Sequence, residues 1–195
     1  AGVYCYVLSR QRIPANNTEA RNFGLDLNGD LTVDNQLGMV MGTLAGQGFD
    51  GQAAADAAVD RGQILILGEL NAPTLGTGAG TFTLFSGANP MPTACAGTGD
   101  TTCRKHLSGS ASFDVAATSA HDTPLPGTFN VGTFVGGPGH LQVQLVVLGG
   151  APTTLNLIGA RVKLVMTTAG TIGDGSVIAG GVSATELDAK VYPGI

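Results

Sequence analysis

Oxygen-bearing side chains recur at every second position of one short segment, residues 26–34. They are Asp26, Asn28, Asp30, Thr32 and Asp34. Calcium loops wrap one hard cation in this way, with side-chain oxygens at alternating positions and a backbone carbonyl at the seventh. The spacing therefore predicts a Ca²⁺ site formed by these five residues.

The segment resembles the calcium loops of EF-hands, dockerins and thrombospondin-type repeats, and it departs from the EF-hand at two positions. Leu31 stands where a glycine makes the sharp turn, and Leu37 stands where a bidentate carboxylate completes the shell. A further ligand would come from water or from Asp50, Asp56 or Asp60. The same residues also fit an Asx-rich turn that caps the next helix without metal. If calcium binds, it would rigidify the loop rather than catalyse.

Two short helices are predicted directly after this loop. Apolar side chains recur at helical spacing in residues 37–47, and Asp50 is a suitable N-cap for a second helix over residues 51–61. Gly62 then stands at the C′ position of that helix. The two helices are expected to form a small hairpin that packs on the rest of the chain.

The rest of the chain has the pattern of β-structure. Runs rich in β-branched and aromatic residues alternate with Gly/Pro turns, and they cover residues 64–67, 81–85, 110–116, 128–135, 141–148, 153–158, 161–166 and 171–178. Gly149-Gly150 and Gly159-Ala160 are predicted to turn the chain between the later strands. Ser183 and Glu186 form a capping box that opens a short helix ending at Lys190.

These elements predict a mainly β fold, an antiparallel β-sandwich or barrel with a small helical hairpin near the N-terminus and a short C-terminal helix. The length of 195 residues suits one domain. Residues 1–195 are therefore expected to form a single β-rich domain. Residues 26–61, the calcium-loop-like segment plus the helical hairpin, are inserted after the first strand.

The first predicted strand covers residues 2–13, and both of its faces are apolar until Ser9. Val3, Cys5 and Val7 alternate with Tyr4, Tyr6 and Leu8. Such a strand is buried on two sides or needs a partner. It could complete the sheet of a neighbouring subunit by strand addition, which would make a homo-oligomer, or it could pair within its own sheet.

The three cysteines predict one disulfide. Cys95 and Cys103 bracket a short Gly/Thr/Asp-rich segment, which a disulfide would close into a surface loop. A metal pair with His106 is the alternative, although the spacing is not one that zinc sites use. Cys5 is then left over, and it is predicted to be a small buried strand residue rather than an intermolecular bridge.

The composition indicates which partners and which cellular compartment to expect. Lys and Arg total only 9 and the net charge is −5, so nucleic acid is not an expected partner. No apolar run is long enough for a transmembrane helix. The low charge, the abundant Gly and Thr and the start at Ala1 without a leader favour a mature exported chain, secreted or at the cell surface, after signal removal.

Catalytic motifs are missing from the sequence. It contains no nucleophile elbow, no His-Glu-x-x-His and no P-loop. His106, His121 and His140 fall in three separate predicted loops, and each is interpreted as a solvated loop residue. The sequence therefore predicts a protein that is not an enzyme.

A longer stretch carries a second resemblance. Residues 24–30 followed by Asp34-Asn35-Gln36-Leu37-Gly38 resemble a family of uncharacterised exported bacterial proteins, in which an acidic loop precedes Asp-Asn-Gln-Leu-Gly. The resemblance continues at residues 64–67, 136–144, 155–162 and 180–181. It implies export and a β-rich body, and it implies no activity.

Three functions follow as expectations. The first is a non-enzymatic structural subunit of an extracellular or cell-surface assembly, a fibre or sheath, stabilised by Ca²⁺. The second is a calcium-stabilised extracellular binding or adhesion module, which the low aromatic content of 5% disfavours as a sugar binder. The third is an exported hydrolase with an unrecognised site.

Overall fold

The strands of the computed structural model, which describes residues 2–146 and 151–194, form one antiparallel sheet. They are β1 Gly2–Val7, β2 Ile66–Ala72, β3 Gly78–Met91, β4 Ser112–Val115, β5 Leu125–Asn130, β6 Thr133–Val146, β7 Pro152–Val165 and β8 Val177–Gly181. Their order is β1-β2-β3-β5-β6-β7-β8, with β4 paired to the C-terminal part of β3. The predicted mainly antiparallel β fold is confirmed, and the sheet is not closed: its path begins at β1 and ends at β8.

Four short α-helices accompany the sheet in the described residues, and their starts follow side-chain caps. They are α1 Asn17–Asn22, α2 Gln36–Ala45, α3 Gly51–Asp60 and α4 Ala184–Lys190. The Asp50 carboxylate accepts a hydrogen bond from the Ala53 N–H at 2.9 Å, and the Ser183 hydroxyl accepts one from the Glu186 N–H at 3.2 Å. The predicted helical hairpin and the C-terminal helix are therefore confirmed, because their caps are local features.

The larger of two apolar clusters among the described residues lies along the inner face of the sheet. Its largest fully buried apolar side chains are Phe82, Phe134, Ile64, Leu70, Leu125, Leu141 and Val162. Ala58 and Val59 of α3 belong to the same core. The Gln52 side chain also ties α3 to the chain after β1, since it accepts from the Ile13 N–H at 2.9 Å and donates to the Gln11 carbonyl at 2.7 Å.

The strand predicted over residues 128–135 is wrong, because the chain turns in its middle. Val131 and Gly132 both adopt positive φ, 46° and 74°, and Asn130 pairs with Thr133 across them. This is the geometry of a two-residue hairpin turn. A β-branched residue rarely adopts positive φ, so the run of β-formers hid the turn.

The hairpin predicted at Gly159-Ala160 is also wrong. A single strand, β7, runs through both residues, and its pairing with β6 shifts register beside Gly139. Gly159 takes φ 62° within a β-bulge, which bends the strand without reversing it, and Ala160 is buried in the core. The turn predicted at Gly149-Gly150 lies outside the described residues.

The segment after β1 differs from its prediction in two ways. The first strand ends at Val7 instead of residue 13, and the polar stretch that follows contains the helix α1, which the sequence analysis did not predict. Asn16 caps α1 by accepting from the N–H groups of Thr18 and Glu19, at 3.0 and 2.9 Å. The Asn16 cap is the sequence signal from which α1 could have been predicted.

We expect Val131→Asn to raise the free energy of unfolding by about 1 kcal/mol. Asn tolerates the left-handed conformation that strains Val131, and the Val131 side chain is 87% exposed, so little packing is lost. Chemical denaturation measures the change. Val115→Asn is the control, because Val115 is an exposed valine on β4 without a positive φ, and no gain is expected there. An equal gain in both variants would contradict the turn-strain explanation.

Candidate functional site

The loop between α1 and α2 begins at Asp26, whose carboxylate is held by the loop's own backbone. Its two oxygens accept hydrogen bonds from the N–H groups of Gly29 and Leu31, at 2.6 and 2.9 Å. These bonds, above all the one from Gly29, hold the pKa of Asp26 below its ordinary value. Leu31 takes φ 67° at the position where a calcium loop has glycine, and its side chain is 95% exposed. Leu31 therefore adopts the left-handed conformation for which glycine is the usual residue.

The next polar residues of the loop repeat this arrangement. The Asn28 amide oxygen accepts from the Asp30 N–H at 2.9 Å, and the Asp30 carboxylate accepts from the Thr32 N–H at 2.8 Å. Asp34 closes the base of the loop, because its carboxylate accepts from the Leu27 N–H at 2.9 Å. Four of the five predicted ligand side chains thus accept hydrogen bonds from the loop itself and are brought into one turn structure.

The more distant candidate ligands are engaged elsewhere. Asp50 caps α3, Asp56 lies 3.4 Å from the Arg10 guanidinium, and Asp60 is ion-paired with Arg104. No group of three or more His, Cys, Asp or Glu side chains that could hold a metal ion occurs within residues 2–146 and 151–194. Calcium binding therefore stays a prediction from the spacing, and the structure adds the conformation of the loop that would bind it.

The Asp-Asn-Gln-Leu-Gly segment after the loop has a structural explanation in Asn35. The side-chain oxygen of Asn35 caps α2 by accepting from the Gly38 N–H at 2.8 Å. Its amide nitrogen donates to the carbonyls of Ala20 and Phe23 at the end of α1, at 2.9 and 3.2 Å. A Cβ on Gly38 would lie 2.3 Å from that nitrogen, so only glycine leaves room for the amide. Asn35 thus joins the two helices that flank the acidic loop.

The second candidate site is the outer edge of β1. The strand pairs antiparallel with β2 on one side and is the last strand of the sheet on the other. Tyr4 and Tyr6 pack against the core, whereas Val3 is 57% exposed and Cys5 is an exposed free thiol. The prediction of a buried Cys5 is wrong, because only one face of the strand is covered.

The predicted disulfide Cys95–Cys103 is present, which excludes the alternative metal pair. Residues just after the closed loop dock on the end of α3. The Arg104 N–H donates to the Asp60 carbonyl at 2.9 Å, and the two side chains form an ion pair. The disulfide loop is therefore anchored to the core through α3.

His106 lies under this docked segment, in a 3₁₀ turn over Lys105–Leu107, and is only 1% exposed. Its prediction as a solvated loop residue is wrong. Within residues 2–146 and 151–194, neither ring nitrogen completes a hydrogen bond, although the Val59 carbonyl lies near. Burial first, and then the Arg104 cation, lower the pKa of His106, against smaller opposite effects of Val59 and Asp60.

The other two histidines come together although they are far apart in sequence. His121 and His140 line one surface pocket with Asp122, between the loop before β5 and the bulged part of β6. No local pattern could indicate this, because the bulge beside Gly139 decides which way the chain runs there.

Comparison of the chain with protein-family models, with curated proteins and with solved structures finds no match. Among the described residues, no helix has the length and apolar character needed to span a membrane.

Proposed function

We propose that this protein is an exported, non-enzymatic structural subunit of an extracellular or cell-surface assembly, such as a fibre or sheath, and that Ca²⁺ stabilises it. The observation that carries the proposal is the outer edge of β1, with which no other strand of the described residues pairs. Proteins that stay monomeric blunt such edges with charges, proline, bulges or covering elements. Residues 2–8 of this chain contain no charged residue and no proline, and the β1–β2 register runs without a shift.

The exposed face of β1 also supports the proposed assembly. Val3 and Cys5 present apolar surface beside the free edge, so an added strand would gain both backbone hydrogen bonds and side-chain contacts. The disulfide supports export, since disulfides persist in oxidising compartments. The family resemblance of the acidic loop supports the same location.

Calcium would act on the joint between α1 and α2. The side-chain oxygens of Asp26, Asn28 and Asp30 accept hydrogen bonds from backbone N–H groups of the loop, and each keeps further lone pairs for a cation. Because Asn35 links the ends of both helices, an ion in the loop would rigidify the whole α1–α2 segment. A site with few carboxylates has modest affinity, about 10⁻⁴ to 10⁻³ M.

The assembly is tested by the particle mass from light scattering, measured with calcium and with a chelator. Particles much heavier than the 19.5 kDa chain are expected, and the chelator is expected to shrink them. A monomer at every concentration would overturn the assembly. Particles indifferent to the chelator would overturn the calcium contribution and leave the assembly standing.

We expect 10 mM Ca²⁺ to raise the free energy of unfolding by about 1.4 kcal/mol if the Kd is near 1 mM, because the ligand binds only the folded loop. Asp30→Asn should remove this gain while keeping the hydrogen bond to the Thr32 N–H, since the Asn oxygen can accept it. Asp188→Asn is the matched control: it makes the same charge change at an exposed position of α4. An equal calcium response in both variants would contradict the predicted site.

A further inference from the structure

We propose that the β1 edge pairs with β1 of a second copy, antiparallel about a two-fold axis at Cys5, and that this contact is one interface of the proposed assembly. The inference rests on the proposed function and specifies its partner: the added strand is the same strand of another subunit.

The hydrogen-bonding directions along β1 select the residues that can pair. The Leu8 N–H donates to the Ile66 carbonyl at 2.9 Å, so Leu8 lies in a hydrogen-bonded pair with β2. Backbone groups alternate in direction along a strand, and therefore residues 2, 4 and 6 also face β2. Val3, Cys5 and Val7 direct their N–H and C=O groups to the free edge.

The strand is complementary to itself in one register. Placing Cys5 opposite Cys5 of the second copy also places Val3 opposite Val7, so each outward-facing residue meets another outward-facing residue. Three such pairs form about six backbone hydrogen bonds. Tyr4 then lies opposite Tyr6, and aromatic cross-strand pairs are favourable.

The absence of charge on β1 and the features of the other sheet edge both favour β1 of a second copy as the partner. Residues 2–8 carry no charge, so two copies oppose no like charges, and Arg10 lies beyond the overlap of the two strands. The other end of the sheet, β8, contains Gly180 and Gly181, and its pairing with β7 shifts register. A strand with these features is a poorer partner than β1, because glycine weakens a strand.

The first experiment compares self-association of three variants by sedimentation over a range of protein concentrations. Cys5→Ser keeps the strand and should dimerise like the wild type. Cys5→Pro removes an N–H that β2 does not use, and Cys5→Lys opposes two charges at the axis, so both should lower the dimer fraction at least tenfold. Circular dichroism and thermal unfolding show whether each variant is folded.

Cross-linking tests the register, with Cu(II)-phenanthroline as the oxidant. Two Cys5 thiols lose two protons and two electrons, which reduce two Cu(II) ions, and one disulfide joins the copies. Cys103 and Cys95 are already bonded, so Cys5 is the only reactive thiol. In the Cys5→Ser background, Val3→Cys mixed with Val7→Cys should cross-link, whereas each alone should not.

The outcomes separate this inference from the proposed function. Assemblies that persist in Cys5→Pro and Cys5→Lys, or cross-linking of Val3→Cys with itself, would overturn β1 self-pairing and leave the structural role intact. A wild-type protein that is monomeric at all concentrations would overturn both. Loss of dimer in the two edge variants together with the mixed cross-link would support the two-fold contact.

Discussion

Asn35→Asp should lower the free energy of unfolding by about 3 kcal/mol. The substituted carboxylate can still accept from the Gly38 N–H, so the cap of α2 survives. It cannot donate to the carbonyls of Ala20 and Phe23, and it places a negative charge beside both oxygens. Two lost hydrogen bonds of about 1 kcal/mol each, together with this repulsion, give the expected size.

Asn16→Asp is the matched control for Asn35→Asp, because it makes the same chemical change at another helix cap. Asn16 is exposed, and only its side-chain oxygen is used, as the acceptor for the N–H groups of Thr18 and Glu19. The free energy of unfolding should therefore change little in Asn16→Asp. Urea unfolding at neutral pH measures both variants. Equal stabilities would show that the Asn35 amide does not join α1 to α2.

His106→Leu should raise the free energy of unfolding by about 2 kcal/mol at pH 7, and by more at pH 5. The imidazole is buried and forms no hydrogen bond with the described part of the chain, and an unpartnered buried polar group costs about 1–3 kcal/mol. Leucine fills a similar volume without that cost. The stabilisation appears as a higher urea midpoint.

The pH dependence of the wild type follows from the lowered pKa of His106. As the pH falls below about 6.5, the unfolded chain takes up a proton there before the folded protein does. The stability contributed by neutral His106 is therefore fully present above about pH 6.5 and is lost as the pH falls toward the pKa of the folded state. The loss is about 1.4 kcal/mol for each unit by which the pKa in the folded protein lies below that in the unfolded chain. The charged groups facing the ring are Asp60 from α3 and Arg104 from the docked segment.

His106→Leu should remove this part of the pH profile between pH 7.5 and 5. Asp26 acts at lower pH, because a lowered carboxyl pKa contributes stability that is lost only as the pH falls below about 4. His140→Gln, at an exposed position, is the control for losing an imidazole. A profile that is unchanged in His106→Leu would contradict the buried neutral histidine.

Local signals account for what could be predicted. Asp50 and Ser183 cap their helices as expected, since a cap is a hydrogen bond between residues three apart in sequence. The Cys95–Cys103 pair closes a short loop, so its ends meet in nearly any fold. Asn16 offered an equally local signal for α1, and the prediction overlooked it.

Positions whose surroundings come from distant parts of the chain were predicted poorly. His106 looked solvated because its loop is polar, and it is buried because the segment docks on α3, more than forty residues earlier. Cys5 looked buried because β1 is apolar on both faces, and it is exposed because only the Tyr4 side meets the core. The turn at Val131 and the bulge at Gly159 both depend on how the chain pairs with neighbouring strands.

By itself the sequence determined the antiparallel β class, the helical hairpin, the disulfide and the alternating oxygens of the acidic loop, because each arises from residue type and short spacing. Only the tertiary structure decided that the sheet stays open, that Asn35 joins α1 to α2, and that β1 is an edge strand. These features depend on which distant segments pack together, and that is a property of the whole core rather than of any one segment.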